Sequence, residues 1–401
     1  MIDAGDRIRQ IEDAEGYIAS ICFKTGPPTS IGVELEHVVH TPDHPTRPLD
    51  TAALAAALGG HAPPALDPAT PHQPLGHGGL LRVEPGGQLG LTARRQSTLA
   101  RLHGTVNAEL GQLAELLARG GLGLADAGID PHRAPRRALS SRRHRAMAAS
   151  FARRSGDGRT MMYSTAGLRP SLDAGPAAGL ADRWAAVHEL GPTLLAMFAN
   201  SPVHAGRDTG WASTRMRTWY GIDPGRAGTV PVGADPAAAW ARYALRAPLL
   251  CVRRPSGNWA VRRGVTFADW IGGALPGPPT YDDLDYHLDT LFPLVRPRGH
   301  LQVRYLDTQP GGDWFAPVAV LAALLADGPT IDAARDLCAP TAGRWIEAAR
   351  YGLTDTPIAQ AAPAVLDLAL RVLERDGLPA PLHEEVAASS HFRRERRRFA
   401  A

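Results

Sequence analysis

IGVELEH, at residues 31–37, alternates apolar and charged side chains, which is the pattern of a β-strand with two distinct faces. Glu34 and Glu36 then share one face, with their carboxylates about 6–7 Å apart. Carboxylates placed so close repel each other unless a cation lies between them. Mg²⁺ with bound phosphate would suit the pair because it prefers hard oxygen ligands. Alternatively, the strand exposes an ordinary polar face to solvent.

The composition predicts an ordinary globular protein. The chain has 401 residues, 44% hydrophobic and 21% charged, and a formal net charge of +3, which is too small to indicate nucleic-acid binding. Cys22, Cys251 and Cys338 are too few and too far apart for a disulfide framework or a zinc site. The sequence shows no leader, and the apolar stretch at residues 315–326 is too short to span a bilayer. We therefore expect a cytoplasmic protein without a membrane partner.

The order of predicted elements favours an α+β fold. Strands are separated by long and varied connections rather than by regular helical crossovers. Predicted helices cover residues 2–23, 98–119, 179–199 and 314 to the late 370s, and predicted strands cover 31–37, 80–91 (interrupted by a turn at 84–88), 161–172, 249–252 and 300–306. We expect one domain over residues 1–385, followed by a basic tail at 386–401 that is expected to be disordered.

Polar residues recur on or beside several of these strands. Gln88 follows two glycines that would let a backbone approach a ligand closely, although the turn is also typical of a hairpin. Thr165 and the later Arg169 could together hold a carboxylate, or could simply mark a strand end and its turn. Gln302 and Arg304 share one face of a strand, as Glu34 and Glu36 do. Several such pairs predict a sheet whose concave face is a polar active site.

A long polar loop follows the predicted helix at residues 179–199. It begins at Asn200 and leads into Arg215, Arg217 and Arg226. Loops of this length in a compact domain are usually functional or disordered. Because arginine binds phosphate in a bidentate manner, we predict that a nucleotide's phosphates lie here. The sequence shows neither a dinucleotide-binding fingerprint nor a P-loop.

Together these segments resemble the glutamate–cysteine ligases of the bacterial type that begins ergothioneine biosynthesis. The most specific motifs are FKTGPP at 23–28, GVELE at 32–36, EPGGQ at 84–88, ANSP at 199–202, GIDP at 221–224, CVRRP at 251–255, DDLDYHL at 282–288 and VRY at 303–305. The resemblance implies a curved, mainly antiparallel sheet with flanking helices, related to glutamine synthetase. It also implies ATP and Mg²⁺ as cofactors, small-molecule substrates, a γ-glutamyl phosphate intermediate and attack by an amine.

The resemblance assigns roles to residues of this chain. Glu34 and Glu36 would hold metal, and Arg304 and Arg217 would be catalytic. The remaining predicted residues are the nucleotide ligands Arg215, Arg226, Asn200 and Gln302 and the substrate ligands Gln88, Thr165 and Arg169.

Three positions depart from the family pattern. Gly90 and Gln302 stand where the family usually has glutamates expected to bind metal, and Arg169 interrupts a strand that usually carries neutral polar residues. One hypothesis is an active γ-glutamylcysteine-forming ligase with a rearranged metal cluster. The alternatives are a relative repurposed for another amino acid or amine, and a catalytically silent paralogue that binds a ligand or regulates a true ligase.

Overall fold

A seven-stranded antiparallel sheet lies at the centre of the fold. The structure, a computed structural model, describes the backbone of residues 3–398 and the side chains of residues 3–389. Its strands are β1 (Ile31–His37), β2 (Val39–His40), β3 (Leu80–Val83), β4 (Leu89–Thr92), β5 (Gly123–Leu124), β6 (Gly167–Leu172), β7 (Val203–His204), β8 (Arg207–Asp208), β9 (Val295–Pro297), β10 (Leu301–Val303) and β11 (Leu306–Asp307). The main sheet has the order β3-β4-β1-β6-β10-β9, and β11 also pairs with β6. Pairs β2–β5 and β7–β8 form two small separate sheets.

Helices, joined by loops, flank the sheet. They are α1 (Ile11–Cys22), α2 (Thr51–Leu58), α3 (Leu99–Arg119), α4 (Arg142–Ala152), α5 (Asp157–Ser164), α6 (Leu180–Glu189), α7 (Gly191–Met197), α8 (Thr214–Ile222), α9 (Pro224–Ala227), α10 (Pro236–Arg246), α11 (Phe267–Ile271), α12 (Tyr281–Leu288), α13 (Phe315–Leu324), α14 (Gly328–Cys338), α15 (Trp345–Tyr351), α16 (Thr356–Arg375) and α17 (Ala380–Arg398). The predicted α+β architecture, an antiparallel sheet with flanking helices, is confirmed.

Strand β1 is buried on both faces. Val33 and Leu35 lie in a hydrophobic core with Leu102 and Val106 of α3. On the opposite face, Glu36 is only 4% exposed. The alternative of a strand with a solvent-exposed polar face is therefore wrong, and the carboxylates of β1 must be stabilised within the protein.

The β3–β4 hairpin confirms the predicted turn. The amide of Gly87 donates to the carbonyl oxygen of Glu84 at 2.8 Å, and the amide of Glu84 donates to the carbonyl oxygen of Gln88 at 2.9 Å. Gly87 has a φ of 89°, a left-handed backbone conformation that residues other than glycine rarely adopt. This turn fixes the register of β3 against β4, and on its other edge β4 pairs with β1 so that Gly90 lies opposite Glu36.

Several predicted elements differ from the observed ones. The predicted strand at 161–172 begins as helix α5 and becomes strand β6 only at Gly167, because α5 packs between α4 and α8. The predicted strand at 249–252 is not a strand, and the first helix starts at Ile11 rather than near residue 2, which lies outside the described residues. The backbone at residues 386–398 is helical and continues α17. Residues 399–401 and the side chains from residue 390 onward lie outside the described part, so the domain boundary stays a prediction.

One helix in the described chain, α16, is long and apolar enough to cross a membrane by length and composition. A bent pair, Gly311–Leu324 with Gly328–Thr341, passes the same test only when joined. Ile358, Val365 and Leu366 of α16 are buried in the main hydrophobic core, and α16 packs against α13 and α14. We therefore interpret α16 as a core helix.

His287 of α12 provides a stability prediction. Its Nε2 donates to the carbonyl oxygen of Ala244 at 2.8 Å, and burial lowers its pKa from 6.5 to about 3. A lowered histidine pKa contributes stability above pH 6.5 that is lost as the pH falls towards 3. We expect this group to cost about 3 kcal/mol between pH 7 and pH 4. In urea unfolding, His287→Gln should therefore lose less stability than the wild type between pH 7 and pH 4. An identical pH dependence in the two proteins would show that His287 does not cause this loss.

Candidate active site

A cavity of about 470 Å³ lies over the polar face of the main sheet. Strands β1, β3, β6 and β10 supply one wall, and α4, α5 and α8 supply others. The lining includes ten charged residues: Glu34, Glu36, Arg82, Glu84, Arg143, Arg169, Asp289, Arg296, Arg298 and Arg304. Such a surface suits a charged, polar ligand.

Arg169 joins the two glutamates of β1. It lies directly opposite Glu34 in the β1–β6 pair. Its Nη1 is 3.2 Å from Glu34 Oε1, and its Nη2 is 2.5 Å from Glu36 Oε1. The sequence predicts that Arg169 binds substrate, but the carboxylates it holds here belong to the protein itself.

Two further donors complete this cluster. Gln302 Nε2 donates to Glu34 Oε2 at 3.3 Å, and the amide of Gly167 donates to Glu36 Oε2 at 3.1 Å. Burial alone would raise the pKa of Glu34, but the charge of Arg169, with help from other arginines, lowers it below its ordinary value. Burial raises the pKa of Glu36, because Arg169 offsets only part of this cost and Glu34 adds to it. A single guanidinium thus serves two buried carboxylates.

Arg304 is a buried cation that faces the cavity. Its side chain lies near the rings of Trp219 and Phe292, at 5.1 and 5.6 Å from their centroids, and it donates to the carbonyl oxygen of Leu291 at 3.2 Å. Within the described part of the chain, no carboxylate lies within ion-pair distance of it. Burial, with the neighbouring positive charge of Arg169, holds the pKa of Arg304 well below its usual range. An anionic ligand in the cavity would relieve this cost.

Arg296 and Arg298 extend the positive surface. Their guanidinium groups lie 2.9 and 3.5 Å from the same oxygen of Asp289. Burial lowers the pKa of Arg296 to about 10. Two cations therefore share one carboxylate, so this part of the cavity carries excess positive charge.

Gln88 and Thr165 line the cavity as predicted. Gln88 Nε2 donates to the carbonyl oxygen of Thr165 at 3.0 Å, and Thr165 Oγ1 donates to that of Met161 at 2.7 Å. These bonds tie the hairpin to the end of α5. The two side chains thus shape the wall, and their role as substrate ligands stays a prediction.

Four other predicted residues do not line the cavity. Asn200 Nδ2 donates to the carbonyl oxygens of Asp126 and Thr308, at 2.6 and 2.9 Å. Arg217 is exposed and lines a separate depression with Trp211. The structure does not bring either residue to the carboxylate cluster.

Arg215 and Arg226 are buried and bind the protein's own groups. Arg215 Nη2 donates to the carbonyl oxygen of Arg304 at 2.7 Å, and its Nη1 lies 3.7 Å from Asp307 Oδ1. Arg226 Nη1 donates to the carbonyl oxygen of Thr290 at 2.9 Å. Both arginines lie outside the cavity lining, and their guanidinium groups donate to backbone carbonyl oxygens of the protein.

The sequence analysis missed several lining residues, among them Arg82, Glu84, Arg296 and Arg298. Glu84 lies in the EPGGQ motif at 84–88, and Arg296 and Arg298 immediately precede the predicted strand at 300–306. Arg82 pairs in register with Gly90 on the hairpin, so the period-2 pattern of β3 was the available signal.

The residues of the cluster do not fit the Mg²⁺ site that the family resemblance implies. Within the described side chains, no group of three or more His, Cys, Asp or Glu could hold a metal ion. Gly90 offers no ligand, although a Cβ there would lie only 3.9 Å from Glu34 Oε1 and from Glu36 Cγ. Gln302 donates to Glu34, and Arg169 holds one oxygen of each glutamate.

Solved structures share the fold built around this antiparallel sheet. A glutamate–cysteine ligase from Francisella tularensis, in complex with AMP, matches 92% of this chain and 82% of its own with a TM-score of 0.52 and 14% identity. A bifunctional glutathione synthetase from Pasteurella multocida matches 94% of this chain and 48% of its own, also with a TM-score of 0.52 and 14% identity. These likenesses show the glutamate–cysteine ligase fold.

The sequence comparisons then identify the family. The profile described as glutamate-cysteine ligase family 2 (GCS2) matches residues 30–397. The glutamate–cysteine ligase EgtA of Mycolicibacterium smegmatis is 38% identical in an alignment of 398 residues that covers 96% of this chain and 89% of that protein. EgtA of Mycobacterium tuberculosis is 40% identical over 367 residues, covering 89% and 82% of the two chains. This chain belongs to glutamate-cysteine ligase family 2, and the predicted family resemblance is confirmed.

Proposed function

We propose that this protein is an ATP-dependent carboxylate–amine ligase that forms γ-glutamylcysteine from glutamate and cysteine through a γ-glutamyl phosphate. The observation that carries the proposal is the 38–40% identity to EgtA ligases over most of both chains. The AMP complex of the Francisella ligase supports a nucleotide as ligand.

The cavity suits this chemistry. A carboxylate is a poor electrophile, so ATP must first convert its oxygen into a phosphate leaving group, and several anions must then lie close together. Arg304, Arg296 and Arg298 supply excess positive charge for phosphates and for the substrate carboxylates. We assign Arg304 the main role in charge stabilisation, because its guanidinium is buried and has no carboxylate partner within the described residues. The proposal includes no metal ion held by Glu34 and Glu36.

The three cysteines fit a reducing compartment. Cys22, Cys251 and Cys338 are all buried and free. Since ATP and free amino acids are also abundant in the cytoplasm, we propose that the protein acts there.

The proposal is tested by measuring ADP release and γ-glutamylcysteine formation by the purified full chain. We expect continuous ADP release only when ATP, glutamate and cysteine are all present, because without an amine the γ-glutamyl phosphate is not consumed and turnover stops. Glutamate with a different amine in place of cysteine tests the acceptor. Folded protein that forms no ADP with any combination would refute the ligase proposal.

The Arg169 ion pairs favour a second candidate, a relative that binds the nucleotide without turning it over. In this case calorimetry would detect ATP binding, whereas the assay would detect neither ADP nor a peptide. Synthesis of γ-glutamylcysteine would refute this candidate.

A further inference from the structure

The strand register places a cation inside the carboxylate pair. Glu34 lies opposite Arg169 in the β1–β6 ladder, and Glu36 is two residues further along β1 on the same face. The guanidinium therefore reaches one oxygen of each glutamate, at 3.2 and 2.5 Å. Arg169 is 13% exposed in its side chain, so solvent screens these ion pairs weakly.

The positions of β4 and β10 beside this cluster add no negative charge to it, and the nearest further carboxylate, Glu84, lies in the β3–β4 turn and raises the pKa of Glu36. Gly90 lies opposite Glu36 in the β1–β4 ladder and has no side chain. Gln302 comes from β10 on the other side and directs its amide nitrogen at Glu34. Both neutral positions adjoin the pair that Arg169 binds. Compared with the family pattern, two carboxylates are absent and one guanidinium is added at this place, on strands β4, β10 and β6.

A divalent ion would meet two obstacles here. It would have to displace the Arg169 guanidinium from both glutamates, and it would then lie among other cavity cations such as Arg304 and Arg82. Like charges at close range in a buried site repel strongly. The phosphates of a nucleotide, by contrast, would be attracted by the same arginines.

We propose that Arg169 replaces a divalent cation as the fixed counterion of Glu34 and Glu36, so that the cavity binds its phosphate-bearing ligand with no metal on these two glutamates. The identity of the ligand as ATP rests on the proposed function. The role of Arg169 as counterion rests on the geometry of the cluster alone.

The first test is a Mn²⁺ titration of the ligand-free protein, followed by electron paramagnetic resonance of the free ion. The wild type is expected to leave the Mn²⁺ signal at its free intensity. A triple variant, Arg169→Gln with Gly90→Glu and Gln302→Glu, is expected to bind Mn²⁺ at least about 100-fold more tightly, because it restores anionic oxygen ligands and removes the competing cation. A Cβ at Gly90 makes only ordinary van der Waals contacts, so the position has room for a side chain.

Two controls keep this test decisive. The double variant Glu34→Gln with Glu36→Gln lacks both carboxylates. If the wild type binds Mn²⁺ and this variant does not, the ion binds to the two glutamates and the proposal is overturned. The wild-type titration needs no variant, and it therefore gives an answer even if the triple variant does not fold. A folded triple variant without Mn²⁺ binding would also count against the proposal.

The second test compares ATP binding by calorimetry in EDTA and in Mg²⁺. We expect similar affinities, since arginines rather than a protein-bound metal hold the phosphates. Binding that requires Mg²⁺ would contradict the inference. No ATP binding in either buffer would contradict the proposed function instead, and the Mn²⁺ titration would still decide the role of Arg169.

Discussion

Arg304→Met is expected to weaken ATP binding by about 100-fold and to raise the melting temperature of the ligand-free protein by about 2 °C or more. Both effects have one cause. The guanidinium is 5% exposed, and within the described residues no carboxylate lies within ion-pair distance of it, so the free protein bears the cost of burying a charge. Methionine fills similar volume beside Trp219 and Phe292 without that charge.

Calorimetry and thermal unfolding of the same preparations measure the two effects. Arg242→Met is the matched control, because Arg242 is an exposed residue of α10 outside the cavity. It is expected to change neither quantity. If Arg304→Met binds ATP as tightly as the wild type, Arg304 is not the phosphate ligand. If it is instead strongly destabilised, the hydrogen bond from Arg304 to Leu291 outweighs the cost of the buried charge.

Asp307→Ala is expected to lower the free energy of unfolding by about 3–5 kcal/mol, because it leaves a buried arginine without its counterion. Asp307 is fully buried, and Arg215 beside it is 1% exposed. The hydroxyls of Ser201 and Ser213 donate to the carboxylate of Asp307 at 2.7 and 3.0 Å, and the backbone amide of Asn200 donates to it at 2.8 Å. The substitution thus leaves three hydrogen-bond donors without their acceptor and Arg215 without its ion-pair partner at 3.7 Å.

Urea unfolding at neutral pH measures this loss. Asp376→Ala is the control: Asp376 also pairs with an arginine, Arg375 at 2.8 Å, but both side chains are about half exposed. We expect it to change stability by no more than about 0.5 kcal/mol. The Asp307 variant should also bind ATP less tightly, because Arg215 supports the backbone of Arg304. A loss similar to that of the control would show that this network contributes little.

Local patterns predicted most of the fold. The period-2 alternation of β1 and the paired glycines of the β3–β4 turn were sufficient to identify both elements. They failed at residues 161–166, where apolar and hydroxyl residues suit a strand as well as a helix. The choice there came from packing of α5 between α4 and α8, which no local pattern contains.

The arginines show that local sequence also does not identify which residues reach the cavity. Arg215, Arg226 and Arg304 have the same side chain and occur in similarly polar surroundings in the sequence. In the structure all three donate to backbone carbonyl groups, but only Arg304 also faces the cavity. Whether an arginine meets a ligand or the protein's own backbone depends on chain segments far away in the sequence.

The sequence by itself determined that Glu34 and Glu36 share one face of a strand and that Gly90 and Gln302 bring no carboxylate to it, because side-chain direction along a strand has a period of two. Only the tertiary structure decided what lies between the two glutamates. Arg169 reaches both because β6 pairs with β1 in one particular register, and a shift by one residue would turn the guanidinium to the other face of the sheet.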